Sequence, residues 1–141
     1  MKKKSALIFG SGRRVQSTIL PALRNLKINK IYLKGRTYLK SQKIAEDEEI
    51  KAIDKISEEI INKIDMIFIS IPSQNILDVV GELTKFNTED KILFIDTPII
   101  GPIRNLSLLS MKSLFKNIIV SEDFIFSNFF LKSKTYLKSK N

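Results

Sequence analysis

Apolar residues fall along the chain in short runs that alternate with helically spaced segments. The first run is residues 5–9, which ends at Gly10. Residues 14–26 then carry apolar side chains at the spacing of one helix face, namely Val15, Ile19, Leu23 and Leu26. This order predicts a strand followed by a helix. A second pair is predicted from alternation over residues 30–34, closed by Gly35, and a helix over residues 39–46.

The middle of the chain contains the most apolar segment. Residues 50–53 predict a weak third strand, and a helix over residues 57–63 can be capped by Asp54 or Ser57. Residues 66–71 are apolar at nearly every position, which is typical of a central parallel strand covered on both faces. Pro72 ends that strand.

The remaining segments continue the alternation. Ser73 is a good cap for a helix whose apolar residues recur at Ile76, Val80 and Leu83. Residues 91–95 predict a fifth strand, residues 105–115 a further helix, and residues 118–120 a sixth strand. The whole order predicts an α/β fold, a doubly wound parallel sheet of the Rossmann type with three layers, αβα.

Length and composition are consistent with one such domain. The 141 residues are 43% apolar and 28% charged, as in globular proteins, and we assign residues 1–121 to the domain. Residues 122–141 form a basic tail, or the start of a second domain. The chain has no cysteine and no histidine, which excludes disulfides, thiolate metal sites and histidine general bases.

The charge and the apolar runs also limit location and partners. No run approaches the roughly 20 apolar residues of a membrane helix, and the basic start, Met1 to Lys4, lacks a signal-peptide core. We therefore expect a cytoplasmic protein with no membrane partner. The net charge of +9 is spread over every segment, which favours a solvated surface over binding of nucleic acid or another polyanion.

The turn after the first strand carries the clearest chemical signal. Its sequence is Gly10-Ser11-Gly12-Arg13-Arg14-Val15, placed between a strand and a helix. Gly10 would allow the tight turn, and Gly12 the approach of a pyrophosphate to the amides that begin the helix. Val15 replaces the usual third small residue, so it loosens the helix contact or shifts the helix. A purely structural turn is the alternative.

The end of the second strand indicates which dinucleotide would bind. A domain that selects NAD places an acid there, about 20 residues after the glycines. This chain instead has Arg36 and Thr37 followed by Lys40, and no carboxylate before Glu46. An arginine fork suits a ribose 2′-phosphate, which favours NADP, with NAD as the alternative. Exposed charges without a ligand are the simpler explanation of Arg36 and Lys40.

Polar residues after later strands are further candidates. Ser70, Ser73 and Gln74 follow the fourth strand at the edge where open sheets bind ligands, although Ser73 could equally be a structural cap. Asp65 and Asp96 lie at strand ends. They can serve as site acids, but capping is the commoner role of such carboxylates.

These segments together resemble the Gfo/Idh/MocA family of NAD(P)-dependent sugar oxidoreductases, whose members often carry a Leu-Pro-Ala-Leu sequence on the first helix. Here residues 20–23 supply it, and Asp65 to Ser73 is similar to the family's fourth strand and cofactor-facing loop. The resemblance implies that Ser70, Pro72, Asp96 and Pro98 lie near the cofactor.

The same resemblance puts catalysis by this chain in doubt. Thr97 occupies the place of the lysine in the family's Glu-Lys-Pro sequence, and threonine supplies no cation and does not titrate near neutral pH. The family's second domain, which contacts substrate, would begin near Ser121, so we expect an incomplete enzyme that needs a separate substrate domain. A non-catalytic nucleotide-binding or sensing module is the second hypothesis, and a polyanion binder the third.

Four phenylalanines crowd into the segment after the predicted sixth strand: Phe124, Phe126, Phe129 and Phe130. Exposing them together is unfavourable. We expect them to dock on the domain itself or to pair with another copy, which would make a homodimer. An ordinary core strand is the alternative.

Overall fold

The computed structural model describes residues 4–96 and 113–121. Its strands are β1 (Ser5–Phe9), β2 (Lys30–Lys34), β3 (Lys51–Ala52), β4 (Met66–Ile69), β5 (Ile92–Asp96) and β6 (Asn117–Ser121). Its α-helices are α1 (Leu20–Asn25), α2 (Tyr38–Asp47), α3 (Glu58–Lys63) and α4 (Ile76–Leu83). A π-helical turn, Val15–Ile19, precedes α1, and a 3-10 turn, Ser73–Asn75, precedes α4.

All six strands are parallel, in the order β3-β2-β1-β4-β5-β6. The chain runs outward from β1 to β3, crosses back, and runs outward again from β4 to β6. The connection after β1 therefore leads toward one edge of the sheet, and the connection after β4 leads toward the other edge. A crevice opens between β1 and β4, where the two connections diverge. The predicted Rossmann-type α/β fold is confirmed.

The alternation of side chains along the central strands produces two cores, one on each face of the sheet. On one face Leu7, Phe9 and Ile67 pack with the inner sides of α3 and α4. On the other face Ala6 and Ile8 pack with α1 and α2. We call these the α4 face and the α1 face. Central strands buried on both faces explain the apolar composition of β4.

The first helix differs from the predicted pattern. Residues Val15, Leu20 and Leu23 are buried, whereas Ile19 is half-buried and Leu26, just past the helix end, is 70% exposed. The spacing from Val15 to Leu20 is one residue longer than an α-helical turn allows, because a π-helical turn holds an additional residue. The predicted face is therefore correct at Val15 and Leu23 and wrong at Leu26, while Leu20 takes the fully buried position expected of Ile19.

Several boundaries also differ by a few residues. Ser57 caps α3 as predicted, accepting a hydrogen bond from the Ile60 amide at 3.3 Å. Ser73 does not cap α4. It begins the 3-10 turn, and no side chain bonds the start of that turn or of α4. The strand β4 ends at Ile69, and β5 includes Asp96.

Two further predictions concern segments that lie partly or wholly outside the described residues. The helix predicted over residues 105–115 lies mainly outside the described residues, and its last three positions form turn and bend before β6. Residues 122–141, with their four phenylalanines, lie outside them entirely. Among the described residues, no helix has the length and apolar character needed to cross a bilayer.

Candidate functional site

Gly10 is placed by a close approach of two strand ends. Its φ of +122° is one that side chains rarely adopt, and a Cβ there would lie 2.1 Å from the Ser70 carbonyl oxygen. Its amide donates to the Lys34 carbonyl at 2.9 Å. The turn after β1 is thus held between the ends of β2 and β4, and only glycine fits at its first position.

Gly12 has the opposite environment. A Cβ at this position would find no atom of the described residues within 4 Å, and the residue is exposed. Its carbonyl accepts a hydrogen bond from the Gln16 amide at 3.4 Å, so the helix begins directly after it. The backbone is therefore open to a ligand at the start of the helix, where amides face an anion.

Ser11, between the two glycines, packs toward the end of β2. Its Oγ lies 2.9 Å from the position a Cβ on Gly35 would occupy, and Ser41 Oγ lies 2.2 Å from that same position. Any side chain at Gly35 would therefore displace both hydroxyls. The absence of a side chain at Gly35 is what lets the loops after β1 and β2 meet.

The two arginines of the turn have different surroundings. Arg13 is exposed beside Gly12. Arg14 reaches the end of β5, where its Nε lies 2.5 Å from Asp96 Oδ2, and Ser70 Oγ donates to the same oxygen at 2.9 Å. The structure thus brings together three predicted site residues from β4, β5 and the glycine turn.

A cavity of about 270 Å³ opens at the end of β1, beside α4. It lies between the loop after β2 and the segment joining β4 to α4, and its lining includes Phe9, Gly35, Arg36, Pro72, Asp78 and Glu82. Arg36 is the cation the sequence singled out at the second strand. Thr37 and Lys40 are exposed but are not among the lining residues.

Sequence reasoning missed the contribution of α4. Asn75, Asp78, Val79 and Glu82 all line the cavity. Their spacing of three or four residues places them on one stripe of the helix, next to the apolar stripe that faces the core. That spacing is visible in the sequence. It could have been found by asking which polar stripe of α4 faces the glycine turn.

Asp65 belongs to the opposite edge of the sheet. Its carboxylate accepts from the Ser5 amide at 2.9 Å and the Ser5 hydroxyl at 3.1 Å, at the starts of β4 and β1. This carboxylate ties two strand starts together, which agrees with a structural role rather than that of a site acid. Thr97 and Pro98 lie outside the described residues.

Comparisons with solved structures agree with this architecture. An oxidoreductase from Thermotoga maritima is 23% identical, with a TM-score of 0.74, over 98% of this chain and 44% of its own. Biliverdin reductase from Synechocystis, in complex with biliverdin and NADP+, is 14% identical with a TM-score of 0.73, over 97% and 43%. The chain therefore spans less than half of the proteins it resembles.

A third solved structure shares the fold, and a family model identifies the family. Shikimate dehydrogenase of Mycobacterium tuberculosis is 16% identical with a TM-score of 0.57, over 83% of this chain and 44% of its own. No curated protein sequence matches the chain. The model of the shikimate / quinate 5-dehydrogenase family matches residues 1–126. The resemblance to the Gfo/Idh/MocA family is not confirmed by that match, and the chain belongs to the shikimate / quinate 5-dehydrogenase family.

Proposed function

We propose that this chain is the dinucleotide-binding domain of an NADP-dependent oxidoreductase. The observation that carries the proposal is the open backbone at Gly12, which follows Phe9 by three residues, and Phe9 lines a cavity together with Arg36. Gly10 and Gly35 are both closely packed, so Gly12 is the glycine of this turn whose missing side chain leaves room for a ligand rather than for the protein. Membership of a dehydrogenase family supports the same function.

The residues present fit a dinucleotide. The amides after Gly12 would hold the pyrophosphate at the start of the helix. The cavity would take the adenosine half, with Phe9 and Pro72 as apolar walls and the Asp78 carboxylate as an acceptor for hydroxyl or amino groups. Arg13, exposed beside the turn, would add a positive charge near the phosphates.

The choice of NADP over NAD rests on Arg36. A guanidinium at the cavity edge can form two parallel hydrogen bonds to a 2′-phosphate, and the loop after β2 lacks the acid that would accept from a 2′-hydroxyl. Biliverdin reductase of Synechocystis shares the fold, and its solved structure is a complex with NADP+. Asp78 and Glu82 also line the cavity, as does Lys34, whose amine donates to the Asp54 carbonyl at 3.0 Å. We therefore assign the additional phosphate to Arg36.

When bound, the dinucleotide supplies the hydride that is gained or lost by the substrate. The chain's own residues would bind and orient it. Ser70 and Asp96 lie at the ends of β4 and β5 and do not line the cavity, and we assign them to the reactive half. Arg14 holds the Asp96 carboxylate in place there.

The substrate is proposed to be a sugar or a related small molecule with a hydroxyl or keto group. Its contacts would come from a second domain, whether on a longer chain or a separate one, because hydride transfer needs a positioned and shielded substrate. The name of the chain's family adds cyclic hydroxy acids to the candidates.

A second candidate is a nucleotide-binding or sensing module without catalysis. It is favoured by the ion pair of Asp96 with Arg14, which leaves that carboxylate 11% exposed and engaged with the protein itself. Such a module would bind NADP with the same residues. Binding without oxidation or reduction of any hydroxy or keto compound would distinguish it from the enzyme.

Calorimetric titration with NADP+, NADPH, NAD+ and NADH, each alone, tests the proposal. We expect the two 2′-phosphorylated forms to bind at least tenfold more tightly than their counterparts. A ligand that binds only the folded chain also raises the melting temperature, which provides an independent reading. Equal or tighter binding of NADH would overturn the assignment to NADP, and no binding of any form would overturn the dinucleotide site.

A further inference from the structure

The α1 face of the sheet carries an apolar groove of about 260 Å³ that is separate from the glycine turn's cavity. The wall formed by the first helix includes Ile19, Ala22 and Leu26, and the floor includes Phe68, Phe94 and Ser121. Arg14 and Asp96 close one end. The groove therefore runs between the first helix and the strands β4 to β6.

The floor becomes more exposed toward the edge of the sheet. Ile8, Phe68, Phe94 and Ile119 are register partners on successive strands, so their side chains form one row on the α1 face. Ile8 is fully buried, Phe68 and Phe94 are half-buried, and Ile119 is 42% exposed. The rings of Phe68 and Phe94 are stacked, with centroids 4.5 Å apart.

Parallel sheets normally have both faces covered, so this row requires a covering segment. Leu26, beside it, is 70% exposed, which adds to the apolar surface. Together these residues form a contiguous apolar patch of the kind that marks a contact surface. No described residue lies over the outer part of the row.

The described residues just before β6 pack on the opposite face of the sheet. Parallel strands are joined by right-handed crossovers, and β5 to β6 moves across the sheet in the same direction as β4 to β5. The latter connection contains α4. Leu114 and Phe115, at the described end of the β5–β6 connection, pack with the core of the α4 face. These two residues therefore do not cover the groove on the α1 face.

We propose that residues 122–141 of this chain cover the groove. The last residue of β6, Ser121, lines it, so the following segment starts at the groove itself. That segment has four phenylalanines within seven positions, followed by lysines at 132, 134, 138 and 140. The aromatic part would supply apolar area for Phe94 and Leu26, while the lysines stay in water.

A tryptophan reporter tests the proposal, because the chain has no tryptophan of its own. Phe126→Trp and Phe130→Trp are made as two separate variants. If the segment packs on the groove, the tryptophan of at least one variant should be shielded from water. Each is combined with Ala22→Arg, which adds a charge at an exposed helix position in the groove, or with Ser17→Arg. Ser17 is an exposed control on the same helix that does not line the groove. Circular dichroism checks that every variant is folded.

We expect at least one reporter to emit at shorter wavelength than in denaturant, to lose that shift with Ala22→Arg, and to keep it with Ser17→Arg. Emission like that of the denatured chain in both reporters overturns the proposal. A shift that survives Ala22→Arg also overturns it, since the segment would then pack elsewhere. The emission shift could also disappear on dilution while light scattering shows a dimer. That result would assign the groove to a second copy and overturn coverage by the chain's own segment.

Discussion

Arg14 and Asp96 form an ion pair, 2.5 Å from Nε to Oδ2, that joins the glycine turn to the end of β5. The carboxylate is 11% exposed and the arginine side chain 36%. Ser70 Oγ donates to the same carboxylate, so three segments meet on one group. The pair therefore holds the turn to the end of β5, whereas Gly10 holds it to the end of β2.

Removing the charge of Asp96 is expected to destabilise the fold. In Asp96→Asn the partly buried ion pair with Arg14 is lost, and we expect the free energy of unfolding to fall by about 1–2 kcal/mol, less than for a fully buried pair. Urea denaturation measures it. The matched control is Glu59→Gln, which breaks the exposed Glu59–Lys63 pair on α3 and should change stability little. Equal losses in the two variants would contradict the prediction.

Gly12 and Gly10 are expected to respond oppositely to an added side chain. Gly12→Val should leave the melting temperature of the unliganded chain unchanged and weaken NADPH binding at least tenfold, because its side chain meets only the space of the ligand. Gly10→Ala should lower stability by about 2 kcal/mol or more, since its Cβ meets the Ser70 carbonyl in a strained conformation. Unchanged NADPH affinity in Gly12→Val would show that the turn is not the phosphate site.

Arg36 is expected to select the 2′-phosphate. Arg36→Ala should weaken NADPH binding by about 10- to 100-fold, the size of one charge-assisted bidentate contact, and leave NADH affinity unchanged. Lys40→Ala is the control, because Lys40 is a nearby exposed cation that does not line the cavity. Calorimetry with both nucleotides gives the ratio. A similar loss from Lys40→Ala would mean that general positive charge, rather than Arg36, favours NADPH.

Glu59 should titrate below the usual range of a glutamate. The hydrogen bond from Lys63, and next its positive charge, lower the pKa of Glu59. The associated stability is present above the unfolded-state pKa and is lost as pH falls through the folded-state value. A carbon-detected NMR titration measures the shift, and Lys63→Met should return the pKa toward its ordinary value. No change in that variant would contradict the assignment of the cause.

Local patterns predicted most of the fold. Runs such as residues 66–71 indicated a central parallel strand, and glycines after β1 and β2 located the turns, because these features depend on neighbouring residues alone. Local patterns could not predict the Arg14–Asp96 ion pair or the contribution of α4 to the cavity. They depend on which strands become neighbours, and distant residues meet only after the sheet has formed.

The first helix shows a different limit. Its sequence offers two adjacent apolar residues, Ile19 and Leu20, and both contact the core of the α1 face, Leu20 fully buried and Ile19 half-buried. Helical periodicity assumes a constant turn, so it favoured Ile19. The deviation lies directly after the glycine turn, where functional sites often interrupt regular structure.

The π-helical turn Val15–Ile19 also affects how this chain is compared with others. A turn that holds one additional residue is the spatial equivalent of a one-residue insertion within a helix. An ungapped alignment on Gly10 and Gly12 to a homologue with a regular helix would pair Leu20 and everything after it with neighbours one step out of register. A gap between Val15 and Leu20 would restore the correspondence of all residues that follow.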